Sequence, residues 1–195
     1  IEGELSDNLI VKAYRMLSAD HILPHINFNL EKHIPSQAGL GGGSSDATYT
    51  LRLLNKLCQL NLNSATLHQY AVRLGADCAF FVTATPAFAT GIGDILEPMN
   101  AECAHLHGMY LLIVKPTVAI STAQAFAFVK PQPTLIKCKD IVAQPVNSEW
   151  RNHLTNNFEV SAFKLHPEMH TIKEQLYKMG ALYAQMSGSG SAFFG

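Results

Sequence analysis

Ala38-Gly39-Leu40-Gly41-Gly42-Gly43-Ser44-Ser45-Asp46-Ala47 decides how this chain is read. Between positions 39 and 43 only Leu40 carries a Cβ. The backbone there can take positive φ and come close to an anion, at an entropic cost that a plain connector need not bear. Ser44 and Ser45 open a strong helical pattern, so unpaired N–H groups and the positive end of the helix dipole face the loop. A glycine loop running into a helix N-terminus is the ordinary physical recipe for a phosphate site. The alternative is a flexible linker. Linkers seldom join two ordered elements so tightly, and Ile26-Asn-Phe-Asn-Leu30 alternates like a strand just upstream.

The familiar phosphate loops do not fit. A Walker loop needs lysine directly after its last glycine, where this chain has Ser44. The dinucleotide fingerprint begins at Gly39-Leu40-Gly41, but Ser44 falls where its third glycine belongs, and no acidic residue follows a strand at the right distance. The protein-kinase signatures V-A-I-K, H-R-D and D-F-G are missing.

Outward from the loop, the pattern alternates helices and strands. Leu9, Ala13, Met16 and Leu17 share a helical face, with Ser6 or Asp7 as the natural cap. Ser44 to about Leu60 turns Ala47, Leu51, Leu54 and Leu57 to one side. Ser64 caps a further helix that reaches Leu74 and stops at Gly75. Phe80–Thr83 and Pro86–Thr90 read as strands, with Gly91 and Gly93 turning the chain. Periodicity lapses over Asn100–Gly108, which places a boundary between domains at 1–104 and 105–195. Met109–Val114 reads as a buried strand, and Ser121 caps a short helix through Phe126 and Val129. Lys130–Ser148, with Pro131, Pro133 and Pro145, is expected to be irregular. Pro167 sits just inside a helix that runs to Met179 and ends at Gly180, before a strand over Leu182–Met186. This layering predicts an α+β protein.

The bulk numbers narrow the classes. A chain of 195 residues that is 48% hydrophobic and 15% charged buries a good core. A net charge of −1 advertises neither nucleic acid nor an anionic membrane, and no apolar run approaches the roughly 20 residues of a membrane span. Cys58, Cys78, Cys103 and Cys138 are scattered without a C-x-x-C pair, which suggests neither zinc nor a disulfide framework and points to a reducing cytoplasm. The nine histidines form no H-x-x-x-H or H-E-x-x-H. His105 and His107 are expected to be solvated or capping residues. Both ends look cut, since Ile1 is no initiator and Ala192–Gly195 stops inside a strand pattern.

Four stretches in order, Pro35–Ala47, Leu74-Gly-Ala-Asp-Cys-Ala-Phe-Phe81, Phe88-Ala-Thr-Gly-Ile-Gly-Asp94 and Met186-Ser-Gly-Ser-Gly-Ser-Ala192, resemble the motifs of the GHMP kinases. That family comprises kinases for galactose, homoserine, mevalonate and phosphomevalonate. The triple glycine followed by Ser-Ser-Asp-Ala is similar to the form in one branch, whose acceptor alcohol carries a diphosphocytidyl group. The resemblance implies a two-domain GHMP-kinase fold, with an N-terminal nucleotide-binding α+β domain and a C-terminal ferredoxin-like α+β domain, both truncated here. A missing first segment would carry an assisting lysine. The implied reaction is direct phosphoryl transfer from ATP, with Mg2+ travelling on the nucleotide, to a small-molecule alcohol. A monomer or homodimer is expected, without nucleic-acid or membrane partners.

For the individual residues, the resemblance implies that Pro35, Ser36, Gln37, Ala38, Gly39, Leu40, Gly41, Gly42, Gly43, Ser44 and Ser45 bind the nucleotide, and the N–H groups of Leu40 through Ser45 would wrap its β- and γ-phosphates. Asp77 follows a helix stop and precedes an apolar run, where a carboxylate would be partly desolvated and able to take a hydroxyl proton. An isolated aspartate after glycine would instead be a turn or cap residue, and it is the family's Gly-Ala-Asp motif that makes Asp77 the catalytic candidate. Asp46 is its nearest rival, read as a first-turn helix residue. Ser187, Gly188, Ser189 and Gly190 are either linker or a tight turn at the substrate, the role the resemblance implies. Phe126 corresponds to a position that stacks on cytosine, and by spacing alone is equally a core residue beside Val129. Two other readings stay open: another acceptor (mevalonate, homoserine or a sugar), or a silent nucleotide-binding module.

Overall fold

Helix α1 (Leu9–Asp20) buries Ile10, Ala13 and Leu17. Its cap is Asn8, whose Oδ1 accepts the Ile10 N–H at 2.9 Å, rather than Ser6 or Asp7, which belong to a short 3-10 turn over Leu5–Asp7. Helix α2 (Gly42–Leu57) buries Ala47, Leu51 and Leu54 but leaves Leu57 exposed, against the expected stripe. Helix α3 (Ser64–Leu74) is capped by Asn63, which accepts the Thr66 N–H at 2.9 Å, so Ser64 is already inside the helix. Ala13, Leu17, Ala47, Leu51, Leu54, Leu67, Tyr70, Ala71 and Cys78 close one core between these three helices. Strands β1 (Ala87–Thr90) and β2 (Ile95–Pro98) form an antiparallel hairpin, with Phe88 opposite Glu97.

The second core is mixed. Strand β3 (Ile113–Val114) leads to α4 (Thr122–Phe126), where Ser121 and Gln124 form a reciprocal capping box. Three short helices follow: α5 (Cys138–Val142), α6 (Ser148–His153) and α7 (Glu159–Leu165). Helix α8 (Glu168–Lys178) then leads to β4 (Gln185–Met186) and β5 (Phe193–Phe194). The sheet order is β3-β5-β4, both pairs antiparallel, so Phe193 lies opposite Val114 on one side and Met186 on the other. Ile120, Ala162, Met169, Leu176, Met186 and Phe193 are the centre of its packing.

This is a computed structural model, and it describes residues 5–130 and 136–195, leaving Pro131 and Pro133 of the expected irregular stretch outside the described residues. The chain divides into two compact units. One holds the residues up to His33 together with Gly41–Asn100, the other Ile34–Leu40 together with Ala101–Gly195. Among the described residues no helix is long and apolar enough to cross a membrane.

The strands differ most from expectation. Ile26–Leu30 pairs with no strand among the described residues. Phe80–Val82 is a 3-10 turn, and the rings of Phe80 and Phe81 meet edge to face at 5.1 Å. Consecutive side chains that touch are incompatible with the alternation of a strand. Of Met109–Val114 only Ile113 and Val114 pair within the sheet. Leu112 exchanges two backbone bonds with Gly195 (2.9 and 3.0 Å), and Tyr110 is 98% exposed. That run lies on a sheet edge, so its apolar character does not translate into burial. Leu182–Met186 shrinks to Gln185–Met186, Pro167 stands at the cap of α8 rather than inside it, and Cys138–Val142 is helical within the stretch expected to be irregular. His105 is half-buried and packs edge-on against Trp150 at 6.2 Å with its Nε2 buried, whereas His107 is exposed at the C-terminal cap of a 3-10 turn over Ala104–Leu106, as expected.

Candidate active site

The first unit carries the helical half of the glycine loop. Gly41 takes a left-handed conformation (φ 67°, ψ 14°) at the cap of α2, and its carbonyl accepts the Ser45 N–H at 2.8 Å. A Cβ on Gly41 would stand 2.9 Å from Cζ of Phe81, so the position needs glycine for conformation and for space. Asn8 and Asn63 satisfy first-turn N–H groups at the starts of α1 and α3, whereas glycine offers α2 no side-chain acceptor. The first turn of α2 also lacks an acidic residue. Its N–H groups and dipole are therefore left uncompensated, the condition an anion satisfies.

Asp46 lies one residue beyond that turn, a correction to its expected place. Its Oδ2 takes Lys32 Nζ at 2.5 Å, and its carbonyl accepts the Thr50 hydroxyl at 2.7 Å. The pairing balances the carboxylate that would otherwise repel phosphate. Lys32 is invisible to motif reading, because nothing in the local sequence ties it to a partner fourteen residues away.

Asp77 lies in a 3-10 turn, Ala76–Cys78, fastened to the same helix. Thr48 Oγ1 donates to the Cys78 carbonyl at 2.8 Å. Burial pushes the Cys78 thiol up, hydrogen bonds from Ser44 and Thr48 oppose the shift, and the neighbouring Asp77 charge adds to it. Asp77 is thus held beside the first turns of α2 through its neighbour Cys78. Its side chain is exposed rather than partly desolvated.

The second unit carries the other half. Pro35, Ser36 and Gln37 are exposed, Gln37 at φ 53°, while Ala38 is buried. Here the structure brings two sequence-predicted stretches together. The Ala38 carbonyl accepts the Ala192 N–H at 2.9 Å, and the Gly39 carbonyl accepts Ser187 Oγ at 2.8 Å. A Cβ on Gly39 (φ 71°) would lie 2.0 Å from the Ser187 carbonyl oxygen. Ser187–Gly190 is a tight turn, with the Gly190 N–H on the Ser187 carbonyl at 2.9 Å and the Ser187 N–H on that of Ala192 at 2.8 Å. The linker alternative fails. Phe126 ends α4 at 60% exposure, edge to face with Phe158 at 4.8 Å, which overturns its reading as a core residue.

Residues 8–85 match the model of the GHMP kinases N terminal domain, and residues 137–195 that of the GHMP kinases C terminal domain. The chain belongs to the GHMP kinase family. The 4-diphosphocytidyl-2-C-methyl-D-erythritol kinase of Bacteroides thetaiotaomicron is 49% identical over 195 residues, covering all of this chain and 70% of the relative. The kinase of the same name from Parabacteroides distasonis is 44% identical with the same coverage. A solved structure of 4-(cytidine 5'-diphospho)-2C-methyl-D-erythritol kinase superposes with a TM-score of 0.73 at 31% identity, over 100% of this chain and 70% of that one. The expected two-domain α+β fold is therefore that of this GHMP kinase, an ATP-dependent small-molecule kinase.

Proposed function

We propose that this GHMP kinase phosphorylates the 2-hydroxyl of 4-diphosphocytidyl-2-C-methyl-D-erythritol, in the non-mevalonate route to isoprenoid precursors in the cytoplasm. The observation that carries the phosphate site is the start of α2, where a left-handed glycine leaves an acid-free helical turn without a side-chain cap. The relatives' shared name supplies the acceptor. ATP, with Mg2+ on its phosphates, supplies the phosphoryl group. The N–H groups of Gly42, Gly43 and Ser44 hold phosphate oxygens, which concentrates donors where negative charge must be carried. Asp77 accepts the proton of the acceptor hydroxyl, and the open ring of Phe126 stacks on the cytosine. Residues 1–104 form the nucleotide domain in this reading, and 105–195 the C-terminal domain.

ADP release is the test, measured with the cytidyl alcohol and with mevalonate, homoserine and galactose as decoys. Turnover only with the cytidyl alcohol is expected, and turnover with a decoy would overturn the acceptor. Asp77→Asn should lower kcat by at least about 100-fold while ATP binding persists, in line with the loss of a general base. Unchanged kcat would remove Asp77 from catalysis.

A further inference from the structure

The Ser187–Gly190 turn is held by side chains that no glycine or serine motif contains. Asn156 Nδ2 donates to the carbonyls of Met186 at 2.8 Å and Gly188 at 2.7 Å, so both donors of the amide are engaged. Its Oδ1 accepts the Phe158 N–H at 2.9 Å, just before α7. Next to it, Glu159 is buried with its carboxylate divided between two tasks. Oε1 accepts the Met186 N–H at 3.0 Å, and Oε2 takes Lys173 Nζ at 2.7 Å. Lys173 also donates to Gln185 Oε1 at 2.8 Å. A buried carboxylate so fully partnered is a fixed point, because losing any partner leaves an uncompensated charge. Beyond the turn, Ser187 Oγ reaches the Gly39 carbonyl.

A run of serine and glycine has little conformational preference of its own, and here Gly188 and Gly190 both hold positive φ (51° and 87°). Beyond the one backbone bond from Gly190 to Ser187, the restraint comes from outside the run. We infer that Asn156 is a positioning residue of the nucleotide site: its amide fixes the carbonyls of Met186 and Gly188 and, through Ser187, holds the Ala38–Gly39 backbone in the conformation that receives phosphate. Glu159 and Lys173 brace Met186 from behind. The inference rests on the phosphate reading of the glycine loop.

The side chain has two separable roles. The Oδ1 bond to Phe158 starts a helix, and serine can supply it. The two Nδ2 donors serve the turn, and serine cannot replace them. In the full chain, Asn156→Ser should therefore weaken ATP affinity, read by calorimetric titration, by about tenfold or more. The melting temperature should move by only a few degrees. Ser187→Ala, which cuts the link to Gly39, should also weaken ATP. The double variant should be weaker than either single one by much less than the product of their effects, as expected of residues acting in one chain of contacts.

Unchanged ATP affinity in Asn156→Ser overturns the inference, as do multiplicative effects in the double variant. A melting temperature that falls by much more than a few degrees does so too, by showing general loosening. If Asn156→Ser fails to fold, Ser187→Ala decides, and unchanged ATP affinity there overturns the inference. The readout is independent of which alcohol is phosphorylated. A wild-type chain that turns over no cytidyl alcohol, yet binds ATP more tightly than Asn156→Ser, would overturn the acceptor and support the positioning role.

Discussion

Two glycine-serine stretches of this kinase are built on opposite plans. Gly41–Ser45 is organised by its own backbone: a left-handed glycine starts a helix, and the helix aims the N–H groups. Ser187–Gly190 has no such support and is held by Asn156, Glu159 and Ser187's bond to Gly39. A similar composition is thus made rigid by a local element in one case and by borrowed side chains in the other. The difference decides which residues a mutation must reach to disturb each stretch.

Gly39 packs directly on the Ser187–Gly190 turn, so Gly39→Ala should have the largest effect on stability. The new Cβ would face a backbone oxygen that cannot swing aside, at a φ that L-residues disfavour. A loss of at least about 2 kcal/mol in denaturant unfolding is expected, together with weaker ATP binding. A neutral substitution would mean that the Ser187 carbonyl does not pack on Gly39, and the comparison would break there. Gly43→Ala should act in the opposite direction. That glycine is helical, and a Cβ would make only an ordinary 3.7 Å contact with Leu9. Unfolding should show a gain of about 0.5–1 kcal/mol, and a loss would place strain inside the first turn of α2.

The smallest effect concerns the Cys78 fastening. The thiol is pushed above its ordinary 9.0 in the folded chain, chiefly by burial. The unfolded chain therefore releases this proton at lower pH than the folded one. The stabilisation it contributes is complete below about 9 and is lost as pH rises through the folded value. Unfolding measured from pH 8 to 11 should fall more steeply for wild type than for Cys78→Ala, and parallel slopes would remove the thiol from the alkaline response.

What could be read from the sequence follows the same division between local and borrowed restraint. The three helices of the first unit were legible because amphipathic spacing is a local signal; the caps of α1 and α3 moved to Asn8 and Asn63, and α2 runs from Gly42 to Leu57 with Leu57 exposed. The α2 start was legible because loop and helix adjoin in the chain. The strands were not. An apolar run such as Met109–Val114 carries no mark of lying on an edge, and Phe80–Phe81 satisfies the strand pattern while turning in a 3-10 helix. Asn156 was illegible for a different reason, since the carbonyls it holds lie 30 and 32 residues away. Lys32 was hidden in the same way, and the exposure of Phe126 could not be separated from core packing by spacing.

The bare start of α2 also bears on how occupancy and melting are coupled. Asparagine completes α1 and α3 from within the chain, whereas on the function proposed above α2 is completed by its phosphate ligand, which makes the nucleotide a removable part of the fold. By mass action, nucleotide at a hundred times its dissociation constant adds about 2.7 kcal/mol to the folded state. An enzyme arranged this way is sturdiest when charged with its phosphoryl donor and most easily unravelled when starved of it.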